Sequence, residues 1–254
     1  GEGNYFFENG NTYVGKWVND MMNGEGVLSF NDGKKYKGSF LKNEINGEGT
    51  MSYSDGRTFI GNWVDGFMEG QGIFHDLNGN SYQGQWENNK INGKGTYNYS
   101  NGNVYEGEWR DGLKEGEGTL LKINGDRYVG GWSENKKDGK GIYTTKSGEK
   151  YIGLWISDQR SGSGIQTYLN GSEYNGQWEN DYINGKGKMV YGTGSVYEGE
   201  WVKGTKQGEG SFISSDGSRY DGTWVENARD GKGKQIFLNG DIYIGDWVRD
   251  VMQG

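Results

Sequence analysis

Apolar and polar positions alternate in two short runs near the start of the chain. Tyr13, Gly15 and Trp17 are two residues apart and share one face of a strand, while Lys16 falls on the other. Gly24, Gly26, Leu28 and Phe30 do the same in the next run. Strands that alternate in this way bury one face and leave the other wet. The opposite face of the first run carries Lys16, Ser39, Asn62, Gln85 and Glu108 in successive copies and reads as polar. Between copies stand "NDG", "SDG", "LNG" and "SNG". Such dipeptides before an aromatic strand predict hairpin turns in which both turn residues take positive φ.

The pair of runs recurs without insertion. The tyrosine position falls at Tyr13, Tyr36, Phe59, Tyr82, Tyr105, Tyr128, Tyr151, Tyr174, Tyr197, Tyr220 and Tyr243, each step being 36 − 13 = 23 residues. Four residues later comes Trp, or Phe40 once, and this column holds all 10 tryptophans of the chain. The pattern predicts an all-β fold: an elongated single-layer antiparallel β-meander solenoid, two strands per 23-residue repeat. At about 4.8 Å per strand it would be a ribbon on the order of 100 Å long. A single layer has nothing to cover its apolar side. Both glycines of each Gly-x-Gly are therefore expected to leave a trough in which a neighbouring ring lies on bare backbone. Residues 1–254 read as one continuous array, a fragment of a longer protein.

Composition alters this picture little. A net charge of −8 and few aliphatic residues would suit a disordered chain, but aromatics make up 15% of it and are in register. There is no cysteine, so disulfides and Cys-based metal sites are excluded, which suits a reducing intracellular compartment. No apolar run is long enough to cross a bilayer.

The motif Y-x-G-x-W, six residues, G-x-G, six residues, G resembles the MORN repeat (membrane occupation and recognition nexus). The resemblance covers the whole chain, from the leading half repeat "GEGNYFFENG" through eleven 23-residue repeats ending in "YIGDWVRDVMQG". It implies an often curved sheet used as a docking groove or scaffold in cytoskeletal, ciliary or membrane-junction assemblies. Phe40, Phe59, Asp76, Lys122 and Ser214 depart from the pattern and suggest places where the thin core is weaker.

No constellation argues for an enzyme. No Gly-x-Gly continues as a phosphate-binding loop, so no cofactor is expected. His75 stands alone, and Asp76 to Glu87 imitates a calcium loop only by coincidence of a turn, Ser81 standing where the loop needs glycine. The column five residues after the Trp reads Met22, Ile45, Met68 and Ile91 before Lys114, Lys137 and Arg160 interrupt it. Those residues either fold back over the Trp or form an apolar lip for a partner. The expected partner-binding positions are Met22, Phe30, Tyr53, Met68, Phe74, Ile91, Tyr97 and Tyr99. The expected partner is a protein with a cationic amphipathic or apolar segment, because the negative chain attracts cations. A homo-oligomer through terminal repeats is a further expectation. Direct binding to anionic lipid ranks second, since 27 basic residues face 35 acidic ones, and the same charge disfavours nucleic acid.

Overall fold

The computed structural model describes residues 1–253. Twenty-three strands and no helix occur among them. The chain is all-β, a single-layer antiparallel meander, and it divides into two compact units. One comprises Gly1–Ile123 with Ser133–Asn135; the other comprises Asn124–Trp132 with Lys136–Gly254. In each unit a seven-residue strand beginning at the Tyr motif returns through a nine-residue strand carrying the Gly-x-Gly. Thr12–Val18 with Met21–Ser29 is an example from the first unit, and Lys150–Ile156 with Gln159–Thr167 one from the second.

The register explains the tyrosine and one of the glycines. Gly15 faces Gly26 and Gly153 faces Gly164, so two residues without Cβ stand opposite each other beneath Tyr13 and Tyr151. A Cβ on Gly164 would lie 2.5 Å from the Tyr151 hydroxyl and 2.6–2.7 Å from its ring carbons. The rings at Tyr13, Tyr36, Phe59 and Tyr82 are fully buried although nothing is layered over the sheet. Each tyrosine hydroxyl donates to the backbone carbonyl three residues on, at 3.0 Å for Tyr13–Lys16 and 3.0 Å for Tyr174–Gln177. Phe59 keeps the burial without the hydroxyl, and Phe40 is buried in the tryptophan column.

The first glycine of each pair has a different task from the one expected. Its φ runs from +59° at Gly162 to +96° at Gly24. The cross-strand register shifts opposite this point, between Gly15 and Trp17 and between Gly153 and Leu154. It is the left-handed residue of a β-bulge, which needs glycine for its backbone and not for a ring. Only the second glycine is a trough.

The turns also differ from the expectation. Between repeats, Phe30–Lys34 closes through Gly33 N–H to Phe30 O at 3.1 Å and Phe30 N–H to Lys34 O at 2.8 Å. Here only Gly33 takes positive φ, at +88°, whereas Asn31 and Asp32 do not. This is a type I turn closed by a left-handed glycine. The turn with two positive φ values lies inside each repeat, at Asn19 (+50°) and Asp20 (+58°), Asn88 and Asn89, or Asn180 and Asp181. Two-residue loops of this kind match the strand twist, and Asn and Asp tolerate the left-handed region best.

The face opposite the rings is not uniformly polar as read. Val14, Val18, Ile60 and Val64 are exposed there in the first unit, and Ile142, Ile152, Leu154 and Ile156 in the second.

Two substitutions test this packing by chemical denaturation of the full chain. Gly164→Ala is expected to destabilise by about 1–3 kcal/mol through overpacking against Tyr151. Trp178→Ala, a 4% exposed ring, is expected to cost about 3–5 kcal/mol. An alanine variant as stable as the parent would show that the ring does not rest on that glycine.

Candidate functional site: the aromatic face

Tyrosines and tryptophans interlock edge to face. In the first unit Tyr13 meets Trp17 at 5.2 Å and Phe40 of the next repeat at 5.0 Å, and Phe59 meets Trp63 and Trp86, both at 5.1 Å. In the second, Tyr151 meets Trp155 at 5.2 Å and Trp178 at 5.3 Å. Ring edges set against ring faces add about 0.5–1.5 kcal/mol per pair beyond area burial. Most indole N–H groups donate to the carbonyl of the trough glycine in the preceding repeat, as Trp86 does to Gly72 at 3.3 Å and Trp201 to Gly187 at 3.1 Å. Among the described residues, those of Trp155 and Trp247 are buried and have no acceptor.

The residue five after each Trp is its cross-strand neighbour: Trp17 with Met22, Trp63 with Met68, Trp86 with Ile91. Met22 and Met68 are buried and Ile91 is half-buried. Of the two readings of this column, cover over the Trp is the one that describes the methionines; they do not project as a lip. The cations further on do not interrupt that cover. Lys137 Nζ lies 3.9 Å from the centre of Trp155, and Arg160 and Arg229 lie 4.3 and 4.1 Å from those of Trp178 and Trp247. Lys206 Nζ sits within 4.6–5.6 Å of Tyr191, Tyr197, Phe212 and Trp224. Burial among these rings pushes its ammonium below the ordinary lysine range.

This covering residue is coupled to the turn of the next repeat. Ile45, Ile91 and Ile183 accept at their carbonyls from Gly66, Gly112 and Gly204 at 2.8–2.9 Å. Where that turn residue is Asn or Asp, the covering residue is Met, Lys or Arg, and its N–H donates to the turn side chain. Met22 to Asn43 (2.8 Å), Lys137 to Asp158 (3.0 Å) and Lys206 to Asn227 (2.8 Å) are examples. In two repeats the set extends further. Arg160 Nε donates to Asp181 at 3.0 Å and its Nη1 to buried Gln166 at 3.2 Å, and Arg229 repeats this with Asp250 and Gln235. Gln166 and Gln235 occupy a position that Leu28 and Met51 fill elsewhere, so each buried amide arrives with the guanidinium that satisfies it.

The other expected positions lie on the same face of the first unit, and all are half-buried: Phe30, Tyr53, Phe74, Tyr97 and Tyr99. Lys34 lies over Phe30 at 5.2 Å, Arg57 over Tyr53 at 5.0 Å, and the Tyr97 and Tyr99 rings are 4.6 Å apart. Phe74 leans on Trp86 at 6.0 Å. Beside Met22, the residues Tyr5, Phe7, Trp17 and Asn43 enclose an open hollow of 690 Å³. The same columns hold half-buried Tyr168 and Tyr191 in the second unit. The sequence reading left these out, although their spacing from Tyr151 and Tyr174 equals that of Tyr53 from Tyr36. His75 is exposed and paired with Thr58 and Ser81 in the strand ladder. The Asp76 carboxylate accepts from Asn78 N–H and from the N–H and side chain of Asn80, at 2.6–2.9 Å, which holds it below the usual carboxylate range. This departure from the apolar column pins a turn.

A family model described as MORN repeat matches residues 13–35, 36–56, 59–81, 82–104, 105–127, 128–150, 151–173, 174–196, 197–219, 220–242 and 243–254. The chain belongs to the MORN-repeat family. No curated protein matches this MORN-repeat chain. Among solved structures it is similar to the TCP10 domain of Danio rerio CPAP in complex with a peptide of Danio rerio STIL. That pair shares 10% identity and a TM-score of 0.44, over 97% of this chain and 100% of that one. A second structure of the Danio rerio domain gives 14% and 0.45, over 78% and 93%. The Drosophila melanogaster SAS-4 TCP domain in complex with a proline-rich motif of Ana2 gives 16% and 0.38, over 61% and 87%.

Two measurements check the energetics of the MORN-repeat face. Burial pushes the phenols of Tyr36, Tyr82, Tyr151 and Tyr220 from 10.0 up to about 12. The folded state thus favours the neutral phenol. Its contribution is complete below pH 10 and is expected to be lost as pH rises through about 12, which a denaturation series against pH will show. Separately, Arg160→Met strands Gln166 and is expected to cost about 1–3 kcal/mol. Adding Gln166→Met and Asp181→Asn rebuilds the Met–Asn pairing of other repeats and should recover most of that loss in the same denaturation assay.

Proposed function

We propose that the MORN-repeat chain is a non-enzymatic scaffold and protein-interaction module whose aromatic face docks a partner helix or peptide inside the cell. We place it in cytoskeletal, ciliary or membrane-junction assembly, as the family resemblance implies. The observation that carries the reading is the row of half-buried aromatics, Phe30, Tyr53, Phe74, Tyr97 and Tyr99, on a face that no second layer covers. Tyr, Phe and Trp supply binding energy at little ordering cost, and interface energy concentrates in a few of them. The net charge of −8 favours a partner segment that is cationic as well as apolar. The lipid alternative is supported less well. It would rest on the basic cluster Lys136, Lys137 and Lys140, of which Lys137 is laid over Trp155 on the aromatic face, whereas Lys136 and Lys140 are exposed on the opposite one.

A partner isolated by pull-down and mass spectrometry provides the test. Tyr53→Ala and Tyr99→Ala are each expected to weaken it about tenfold, about 1.4 kcal/mol, without lowering stability as far as a tryptophan variant does. Met68 is too buried to serve as a clean probe. Affinity that survives both tyrosine variants, together with flotation of the chain on anionic liposomes, would favour the membrane instead.

A further inference from the structure

The strand Lys150–Ile156, "KYIGLWI", is apolar on both of its faces. Tyr151 and Trp155 point into the aromatic face, and Ile152, Leu154 and Ile156 point away from it, 42%, 37% and 58% exposed. No other Tyr-motif strand has apolar residues at all three of its outward positions; the next one reads Asn175, Gln177 and Glu179. The neighbouring strands extend the patch. Ile152 pairs with Ile142 on one side and Ile165 on the other, and Leu154 pairs with Lys140. Four residues of strand and two strand spacings make an apolar area about 13 Å by 10 Å.

Three lysines border it. Lys136, Lys140 and Lys150 are exposed, and among the described residues none of them is ion-paired. The nearby carboxylates lie at the turns: Asp138 accepts from Ser157 N–H at 3.2 Å, Asp158 accepts from Lys137 N–H at 3.0 Å, and Glu149 adjoins Lys150. Glu173 and Glu179 return to this face only on the strand beyond Gln159–Thr167. In a chain of net charge −8, three lysines outside any ion pair stand beside an apolar centre whose neighbouring Asp138 and Asp158 are engaged by backbone N–H groups.

We propose that this opposite face of the second unit docks an amphipathic helix with an acidic flank. The Lys150–Ile156 backbone is already paired on both sides, so an added strand has no edge to join and only side chains are on offer. A helix about 10 Å across laid over an exposed apolar sheet supplies the missing layer, and about nine helical residues span Ile152 to Ile156. Carboxylates on its flanks meet Lys136, Lys140 and Lys150. The site is separate from the aromatic face and does not depend on it.

The probes are two labelled synthetic helical peptides with leucines at i, i+3, i+4 and i+7. One carries glutamates on its flanks and the other lysines. Fluorescence anisotropy with the full chain is expected to show the glutamate peptide binding with an affinity that weakens as salt rises, while any binding of the lysine twin goes to the aromatic face and is lost in Tyr53→Ala and Tyr99→Ala. Ile152→Ser and Leu154→Ser change outward side chains and are expected to lower the melting temperature less than Trp178→Ala does, with the chain folded at the assay temperature, while losing about tenfold in affinity. Lys140→Glu should do the same, and Tyr53→Ala should leave glutamate-peptide binding unchanged. Glutamate-peptide affinity indifferent to Ile152→Ser and Leu154→Ser, or lost in Tyr53→Ala instead, overturns the proposal. So does self-association of the chain that Leu154→Ser abolishes, which would make the occupant a second copy. Binding confined to phosphatidylserine vesicles, with no peptide bound, also overturns it.

Discussion

Everything in this molecule rests on one close approach: a tyrosine ring lying across two glycines that face each other on adjacent strands. A sheet with no second layer has no other way to remove a ring from water. Any Cβ at the trough glycine would stand inside the ring's contact distance. Once the ring is flat, its edge is fixed, and a Tyr such as Tyr151 is pinned between the Trp of its own repeat and that of the next. The Trp then needs a cover on its remaining side, which the residue five positions later provides. Core, register and surface chemistry thus follow in sequence from the missing side chain of a glycine.

The cover need not be apolar, and this gives the aromatic face its variety. A methionine, a lysine stem or a guanidinium all lie over a ring, the last two with added attraction between cation and π-face. Arg160 and Arg229 go further and bring a buried glutamine and a turn aspartate with them. Charged residues that seem in one dimension to break an apolar column therefore preserve it in three. The two faces are also free to differ, because the strand alternation that builds the rings leaves the outward residues unconstrained. The second unit uses that freedom to place isoleucine, leucine and lysine where the first unit's middle repeats carry glutamine and glutamate.

The columns of Tyr, Trp and the trough glycine were legible from spacing alone, because a fixed period with side-chain alternation admits only one arrangement of faces. The bulge glycine was not. Gly24 and Gly26 look alike in sequence, and only φ separates a glycine needed for its backbone from one needed for its empty space. The turns were misassigned for a related reason. "NDG" carries the hairpin signature, yet the doubly left-handed turn falls at Asn19-Asp20, where no glycine advertises it. Met22 and Met68 were correctly singled out as neighbours of the rings, but exposure depends on how far a flexible side chain folds back, which spacing does not encode. The apolar outward face of Lys150–Ile156 is present in the sequence as well, but the polar column from Lys16 to Glu108 ends before it and says nothing of Ile152, Leu154 and Ile156.

The hydrogen bonds that join each cover residue to the following turn have a consequence for inheritance. Ile is matched with Gly, Met with Asn, and Arg with Asp, and each match straddles a repeat boundary. A recombination event that cuts just before a tyrosine would separate partners that belong together. The cassette that moves without a mismatch begins at the cover residue of one repeat and closes at the turn of the next. In such an array, duplication is conservative only when its crossover points respect that offset frame.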